Sequence, residues 1–185
     1  MVKLQERVTK MFDADSMLWK VLFVAFFTAI WYYIVFRLGC RGTDERFSPD
    51  GRRYRAFDWE DNGKFYQRYF HIKSWKDKLP QRIPEDGFSK EHLKPVTAEY
   101  LDTFLIETCR GEWIHFSNFL LSFALLLIAP IELRLLSATL NALVHLLYVM
   151  IQRYNRFRLI RCRDRLRRQK NGHSPFSVTE QTAAC

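Results

Sequence analysis

Apolar positions along the chain gather into three blocks, and charged positions fill most of what lies between them. The first block runs from about Leu18 to Phe36, is free of charge from Val21 onward, and carries Trp19, Trp31, Tyr32 and Tyr33 towards its ends. About 17–20 apolar residues suffice to cross the hydrocarbon core of a bilayer as a helix, and aromatic rings collect where such a helix meets water. Lys20 sits near one end, where its ammonium can reach back to the surface. The second block runs from Trp113 to about Ile131 and the third from about Leu135 to Ile151, with Pro130, Glu132 and Arg134 between them. Backbone amides cannot stay unpaired in lipid, so both blocks are expected as helices, and the short gap makes them an antiparallel hairpin. After the first block, Arg37-Leu38-Gly39-Cys40 offers no small-x-small cleavage site, so that block reads as an uncleaved anchor.

The polar parts have their own periodicity. Residues 37–112 open with turn formers (Gly42, Pro49, Gly51) and then place Phe65, Tyr66, Tyr69, Phe70, Ile72 and Trp75 on one helical face, with Lys64, Gln67, Arg68 and His71 opposite. An amphipathic helix is therefore expected over about Asn62–Trp75, lying in the membrane interface or packed on the segment's own core. Pro80 and Pro84 end it, a loop around Gly87 follows, and a new helix starts near Thr97 and runs into the second apolar block. The pattern predicts an all-α integral membrane protein. Its parts are an N-terminal segment (1–17), a transmembrane anchor helix (18–36), a small cytoplasmic helical segment carrying the interfacial helix (37–112), a transmembrane hairpin (113–151), a basic cytoplasmic helix (152–170) and a disordered polar tail (171–185).

Charge adds an orientation. The chain has 29 Lys/Arg against 20 Asp/Glu, a formal net charge of +9. Residues 37–112 hold 15 Lys/Arg and 14 Asp/Glu, the stretch after Ile151 holds nine and two, and the hairpin loop's only Lys/Arg is Arg134. Orientation follows Lys and Arg rather than net charge, so the central segment and the C-terminus are expected in the cytoplasm, in a multi-pass protein of the cell membrane. The arginine-rich stretch after the third block reads as a surface for anionic headgroups, with no nucleic-acid partner. The four cysteines show neither CxxC spacing nor a disulfide framework and are expected as unpaired thiols, with no metal and no cofactor.

Polar residues inside membrane helices are costly and point to function or to helix association. At about 100° per residue, Glu107, Thr108, Gly111, His115, Asn118 and Ser122 share one face of the entering helix, and Ser137, Asn141, His145, Tyr148, Gln152 and Asn155 share one face of the returning helix. Asn118, Ser122, Ser137 and Asn141 read as helix–helix contacts. The crowding of Glu107, Arg110, Glu112 and His115 at the membrane edge does not. An imidazole titrates near neutrality, so His115 is the natural general base, with Glu107 or Glu112 to orient it. Arg110 can meet a phosphate or carboxylate, and Tyr148 and Gln152 lie at a similar depth on the other arm. A base for an alcohol proton beside a cation suits acyl transfer. His71 and His92 have no convergent partners and read as surface residues.

Three stretches resemble the glycosyl-4,4'-diaponeurosporenoate acyltransferases of staphyloxanthin-type carotenoid synthesis. They are Gly63-Lys64-Phe65 through Tyr69-Phe70 to Lys73, Trp75, Lys76 and Lys78; Ile106-Glu107-Thr108 with Arg110, Glu112, Ile114 and His115; and Gln152-Arg153-Tyr154-Asn155-Arg156 with Arg158 and Leu159. The likeness spans about residues 20–165. The chain departs from it in a longer N-terminus, in Phe157 where a proline is usual, and in a tail beyond Arg168. The resemblance implies esterification of a fatty acid onto the sugar of a glycosylated C30 carotenoid. Its partners would be the lipid bilayer, a glycosyl carotenoid acceptor and a fatty-acyl CoA or acyl carrier protein donor. The resemblance transfers no catalytic residues; from the residues themselves, Glu107, Glu112 and His115 are the catalytic candidates. Arg110, Tyr148, Gln152, Arg153, Asn155 and Arg156 are the substrate-binding ones, the last group holding donor phosphate or sugar. Transfer to another lipid-linked alcohol, or a non-enzymatic membrane scaffold, are the competing readings.

Overall fold

The structure, a computed structural model, describes residues 2–79 and 97–171. The loop expected around Pro80, Pro84 and Gly87, the surface position read for His92, and the tail from 172 lie outside the described residues. The described chain is helical. Helix α1 spans Val2–Arg41, α2 spans Lys64–Phe70, α3 spans Ala98–Ile128 and α4 spans Ile131–Asn171, with short 3-10 turns between α1 and α2 and after α2. Three helical segments, Ser16–Arg41, Ala98–Ile128 and Ile131–Lys170, are long and apolar enough to cross a membrane by length and composition.

The chain divides into two compact units, one of residues 1–41 with 113–148 and one of 42–112 with 149–185. The long helices α3 and α4 contribute a different part to each. In the first unit, Leu121, Leu125 and Ala138 are buried, with Val24, Phe27, Trp31, Tyr32 and Ala124 packed on them. Its outer surface carries Trp19, Phe26, Tyr33, Leu127, Ile131 and Leu135, all at least 66% exposed. Apolar side chains in that number, unsheltered by protein, are what lipid rather than water would cover. Gly39 lets α1 approach α3 closely, because a Cβ there would sit 2.7 Å from Ile114 Cγ1.

The turn between α3 and α4 is tighter than the sequence pattern suggested. Only Ala129 and Pro130 separate the helices, and Glu132 and Arg134 belong to α4. Proline lacks an N–H, which costs nothing just before the first helical residue. Its carbonyl accepts from the amides of Leu133 and Arg134, while Arg134 Nε donates to the carbonyl of Ala129 at 3.2 Å.

The second unit is built on Phe47, Tyr54, Tyr66, Ile72, Leu101, Leu105, Cys109, Tyr154 and Phe157, all buried. The amphipathic helix expected over Asn62–Trp75 is shortened to the seven residues of α2. The reason is local. Asp61, Asn62 and Gly63 precede it with φ of 44°, 53° and 86°, and His71 follows it at φ 48°. Left-handed residues cannot continue a right-handed helix, so Lys64–Phe70 is bracketed on both sides. Of its aromatic face, Tyr66 is buried, Phe65 is half-buried, and Tyr69 and Phe70 are exposed. The arginine-rich end of α4 is also less free than expected: Arg163 and Arg167 pair with Asp102, and Lys170 pairs with Glu99. Cys40 and Cys109 are free thiols. The fourth cysteine, Cys185, lies outside the described residues.

Candidate functional site

In the first unit the polar stripes of α3 and α4 meet a tyrosine from α1. His115, Asn118 and Ser122 recur on α3 at i, i+3 and i+7, and Asn141, His145 and Tyr148 recur on α4 at i, i+4 and i+7, so each set shares one face. Asn141 Nδ2 donates to the carbonyl of Asn118 at 2.8 Å and to Ser122 Oγ at 2.9 Å. Tyr32 OH donates to Asn141 Oδ1. His145 Nε2 lies 2.7 Å from the Tyr32 oxygen, and His145 Nδ1 lies 3.1 Å from His115 Nδ1. The His115 ring stacks on Tyr148, with centroids 4.6 Å apart and planes inclined by 8°.

This chain of bonds fixes protons. A backbone carbonyl only accepts, so the Asn118 contact makes Nδ2 the donor end of Asn141, and both of its hydrogens are used. Asn141 Oδ1 must then accept, which takes the only proton of Tyr32. The Tyr32 oxygen in turn accepts from His145, whose proton is therefore on Nε2. With both rings neutral, His145 Nδ1 is a bare lone pair and takes a hydrogen bond from His115 Nδ1–H. The result is a His115 ring with its lone pair on Nε2, and no hydrogen bond engages that atom among the described residues. Nearby, Asn118 Oδ1 and Trp31 Nε1 are buried without a hydrogen-bond partner.

The second unit holds a different kind of polar cluster. Glu60, Glu112, Arg153 and Arg156 are all at most 8% exposed. Arg153 donates through Nε and NH2 to Glu60, both at 2.6 Å, and through NH1 to Glu112 at 2.8 Å. Arg156 NH1 donates to the other oxygen of Glu112. Glu60 also accepts from the Phe57 amide at 2.7 Å and from Tyr66 OH. Burial would push the Glu60 carboxyl up. The hydrogen bonds from Arg153, Phe57 and Tyr66 outweigh it and hold the pKa below the ordinary carboxylate value. Tyr66 moves up, through burial and then through its hydrogen bond to Glu60. Two carboxylates and two guanidinium groups leave no net charge. Buried ions are tolerated on that condition.

The residues singled out from the sequence are thereby sorted. His115 and Tyr148 are brought together. Glu107 and Asp44 pair with Arg110, whose guanidinium stands 5.2 Å from the centre of the Phe47 ring. Glu112 is engaged by Arg153 and Arg156, while His115 takes its contacts from His145 and Tyr148. Gln152 packs against Gly111, where a Cβ would lie 3.0 Å from the Gln152 amide. Asn155 is half-buried and forms no hydrogen bond among the described residues. The sequence reading missed His145, Tyr32 and Glu60 as site members. His145 lay in plain view on the α4 stripe. Tyr32 and Glu60 gave no such signal, because Tyr32 reads as an interfacial aromatic and Glu60 as one of three acids in a turn. Among the described residues no three His, Cys, Asp or Glu side chains converge to hold a metal ion.

The family model for glycosyl-4,4'-diaponeurosporenoate acyltransferase matches residues 50–165. The proteins of that name from Staphylococcus aureus strains USA300, NCTC 8325 and Newman are each 26% identical to this chain over 160 residues, covering 83% of it and 96% of their own length. No solved structure matches. The protein is an enzyme of acyl transfer, and it belongs to the glycosyl-4,4'-diaponeurosporenoate acyltransferase family.

Proposed function

We propose that this protein is a multi-pass enzyme of the cell membrane that esterifies a fatty acyl group onto a sugar hydroxyl of a glycosylated carotenoid, with His115 as general base. The family supports acyl transfer in carotenoid synthesis. The observation that carries the residue assignment is the run from Asn118 through Asn141, Tyr32 and His145, which leaves Nε2 of His115 unprotonated. Nε2 removes the proton from the sugar hydroxyl as its oxygen attacks the thioester carbonyl. The acyl–sulfur bond breaks on collapse, and the imidazolium returns its proton to the departing thiolate. His145 keeps the His115 ring in the tautomer this requires, and Tyr148 holds its plane. A positioned base contributes about 10²–10⁴-fold in rate.

On this reading Glu112, Arg153 and Arg156, together with Glu60, hold the second unit together rather than touch substrate, since each of their charges is met within the cluster. The Lys/Arg distribution supports a cytoplasmic central segment and C-terminus, the side from which a soluble acyl donor arrives. The exposed rings of Phe57, Trp59, Tyr69 and Phe70 suit the headgroup region.

Purified protein, glycosyl carotenoid and radiolabelled acyl donor give the direct test. Label should appear on the sugar, the pigment should gain one acyl group less water in mass, and mild alkali should return the starting glycoside. Label on a different lipid would replace the acceptor, and no transfer to any lipid would end the enzymatic reading of His115.

A further inference from the structure

A cleft of about 310 Å³ opens in the second unit, lined by Gly63, Lys64, Gln67, Arg68, Lys73, Tyr154 and Arg161. Four cations from α2, the turn after it and α4 line it, and no carboxylate does. Most other cations described for α4 are matched: Arg153 and Arg156 by Glu60 and Glu112, Arg163 and Arg167 by Asp102, Lys170 by Glu99. Within the cleft only Lys64 has an acid near it, Asp61 at 3.6 Å. Arg68, Lys73 and Arg161 have no ion pair among the described residues. Arg161 has only its Nε committed, to the carbonyl of Phe157.

The backbone keeps the cleft in shape. Gly63 adopts φ +86°, and a Cβ there would lie 3.1 Å from the Phe157 side chain. Its left-handed turn therefore starts α2 hard against α4, which places Lys64, Gln67 and Arg68 opposite Arg161. Gln67 Oε1 also accepts from the Lys73 amide, tying the turn that carries Lys73 back onto α2. The buried Tyr154 also lines the cleft.

Such a site fits a compact polyanion. Its volume lies at the bottom of the range for small-molecule pockets, roughly 300–1,000 Å³, and four of its seven lining side chains end in a guanidinium or ammonium group. Resting on the acyl-transfer reading above, we propose that this cleft binds the phosphorylated nucleotide end of an acyl-coenzyme A donor. Three phosphate groups answer three uncommitted cations, and Arg forks suit phosphate oxygens. An acyl carrier protein offers only a single phosphodiester, which leaves most of these cations unanswered.

The experiment uses full-length protein in nanodiscs of neutral phosphatidylcholine, with Arg68→Gln, Lys73→Gln and Arg161→Gln made singly and together. Coenzyme A, 3'-dephospho-coenzyme A and adenosine 3',5'-bisphosphate are titrated directly, and donor and acceptor KM are measured. The triple variant should raise the donor KM and the coenzyme A Kd by roughly tenfold to a hundredfold, leave the acceptor KM in place, and retain the wild-type elution profile and helicity. Dephospho-coenzyme A should bind less tightly than coenzyme A to wild type and lose less in the triple variant. An unchanged donor KM and Kd in a folded triple variant overturns the assignment. So does a variant that loses only binding to vesicles containing phosphatidylglycerol, which would make the cleft a lipid-headgroup site. Turnover with acyl carrier protein but not acyl-coenzyme A also overturns it while leaving acyl transfer intact. Failure of acyl transfer with both donors defeats the functional reading, and direct titration of coenzyme A still reports on the cleft.

Discussion

Replacing Glu60 by Gln removes one charge from the second unit and almost no volume. The carboxylate accepts four hydrogen bonds, from Phe57 N, Tyr66 OH, Arg153 Nε and Arg153 NH2, and is fully buried. An amide keeps only one accepting oxygen, so donors on the other side meet an N–H₂. The remaining set, Glu112 with Arg153 and Arg156, carries an unbalanced positive charge out of reach of water. Breaking a buried pair in this way costs about 3–5 kcal/mol, a large part of the roughly 5–15 kcal/mol that holds a domain folded. For a chain of this size that lowers Tm by roughly 6–20 °C, read by circular dichroism on protein in detergent. Pairing Glu60→Gln with Arg153→Gln restores neutrality, so the double variant should lose less than the sum of the two singles. The pH dependence has a definite sign. The folded pKa of Glu60 lies below its unfolded value, which is near 4.3. Its contribution is therefore full above about pH 4.3 and is lost as pH falls through the lower folded value. Acidification should destabilise wild type more than Glu60→Gln. A Glu60→Gln protein within about 1 kcal/mol of wild type, or strictly additive losses, would refute the account.

His115→Ala should lose about 10²–10⁴-fold in turnover at normal protein level. Tyr32→Phe and His145→Gln should lose less, because they disturb the tautomer and not the base, and steady-state rates compare all three. Cys40 is exposed and free. In a background without the other cysteines, an impermeant maleimide should label it only after cells are permeabilised, and labelling in intact cells would reverse the orientation. Gly39→Leu sets a side chain against Ile114 and should cost about 1–3 kcal/mol by overpacking, visible as reduced thermal stability in detergent.

The long helices were legible because lipid demands length and apolarity, and those are properties of sequence alone. The shortened α2 was not, although its spacing was a good amphipathic pattern. Side-chain periodicity says nothing about the three left-handed residues at Asp61–Gly63 or the one at His71, and these close the helix at both ends. The face shared by Asn141, His145 and Tyr148 was visible on a helical wheel. Its meaning was not, because Tyr32 is more than a hundred residues away and supplies the bond that orders the rest. Glu112 shows the converse. Its nearness to His115 in sequence suggested an orienting carboxylate, yet its oxygens are taken by Arg153 and Arg156, which stand 41 and 44 residues along the chain.

The two polar clusters differ in charge, and on the proposed reading that difference separates holding from reacting. In the Glu60–Glu112–Arg153–Arg156 set, every charge finds its opposite within the set, and each group is needed to offset the desolvation of the others. A substrate that engaged Arg153 would have to displace a carboxylate that is itself buried, and would leave that carboxylate unpaired. The run from Asn118 to His115 has another logic. It is made of neutral groups, which membrane helices tolerate better than ions, and each bond consumes the donor or acceptor that the next would otherwise compete for. Such a sequence must end somewhere, and whatever lies at its end has its protonation state decided by the rest. Here the end is His115 Nε2, a lone pair held in place and directed outward from the chain of bonds. On the mechanism proposed above, a base that must accept a proton from an alcohol needs that state before substrate arrives, and residues of three helices maintain it.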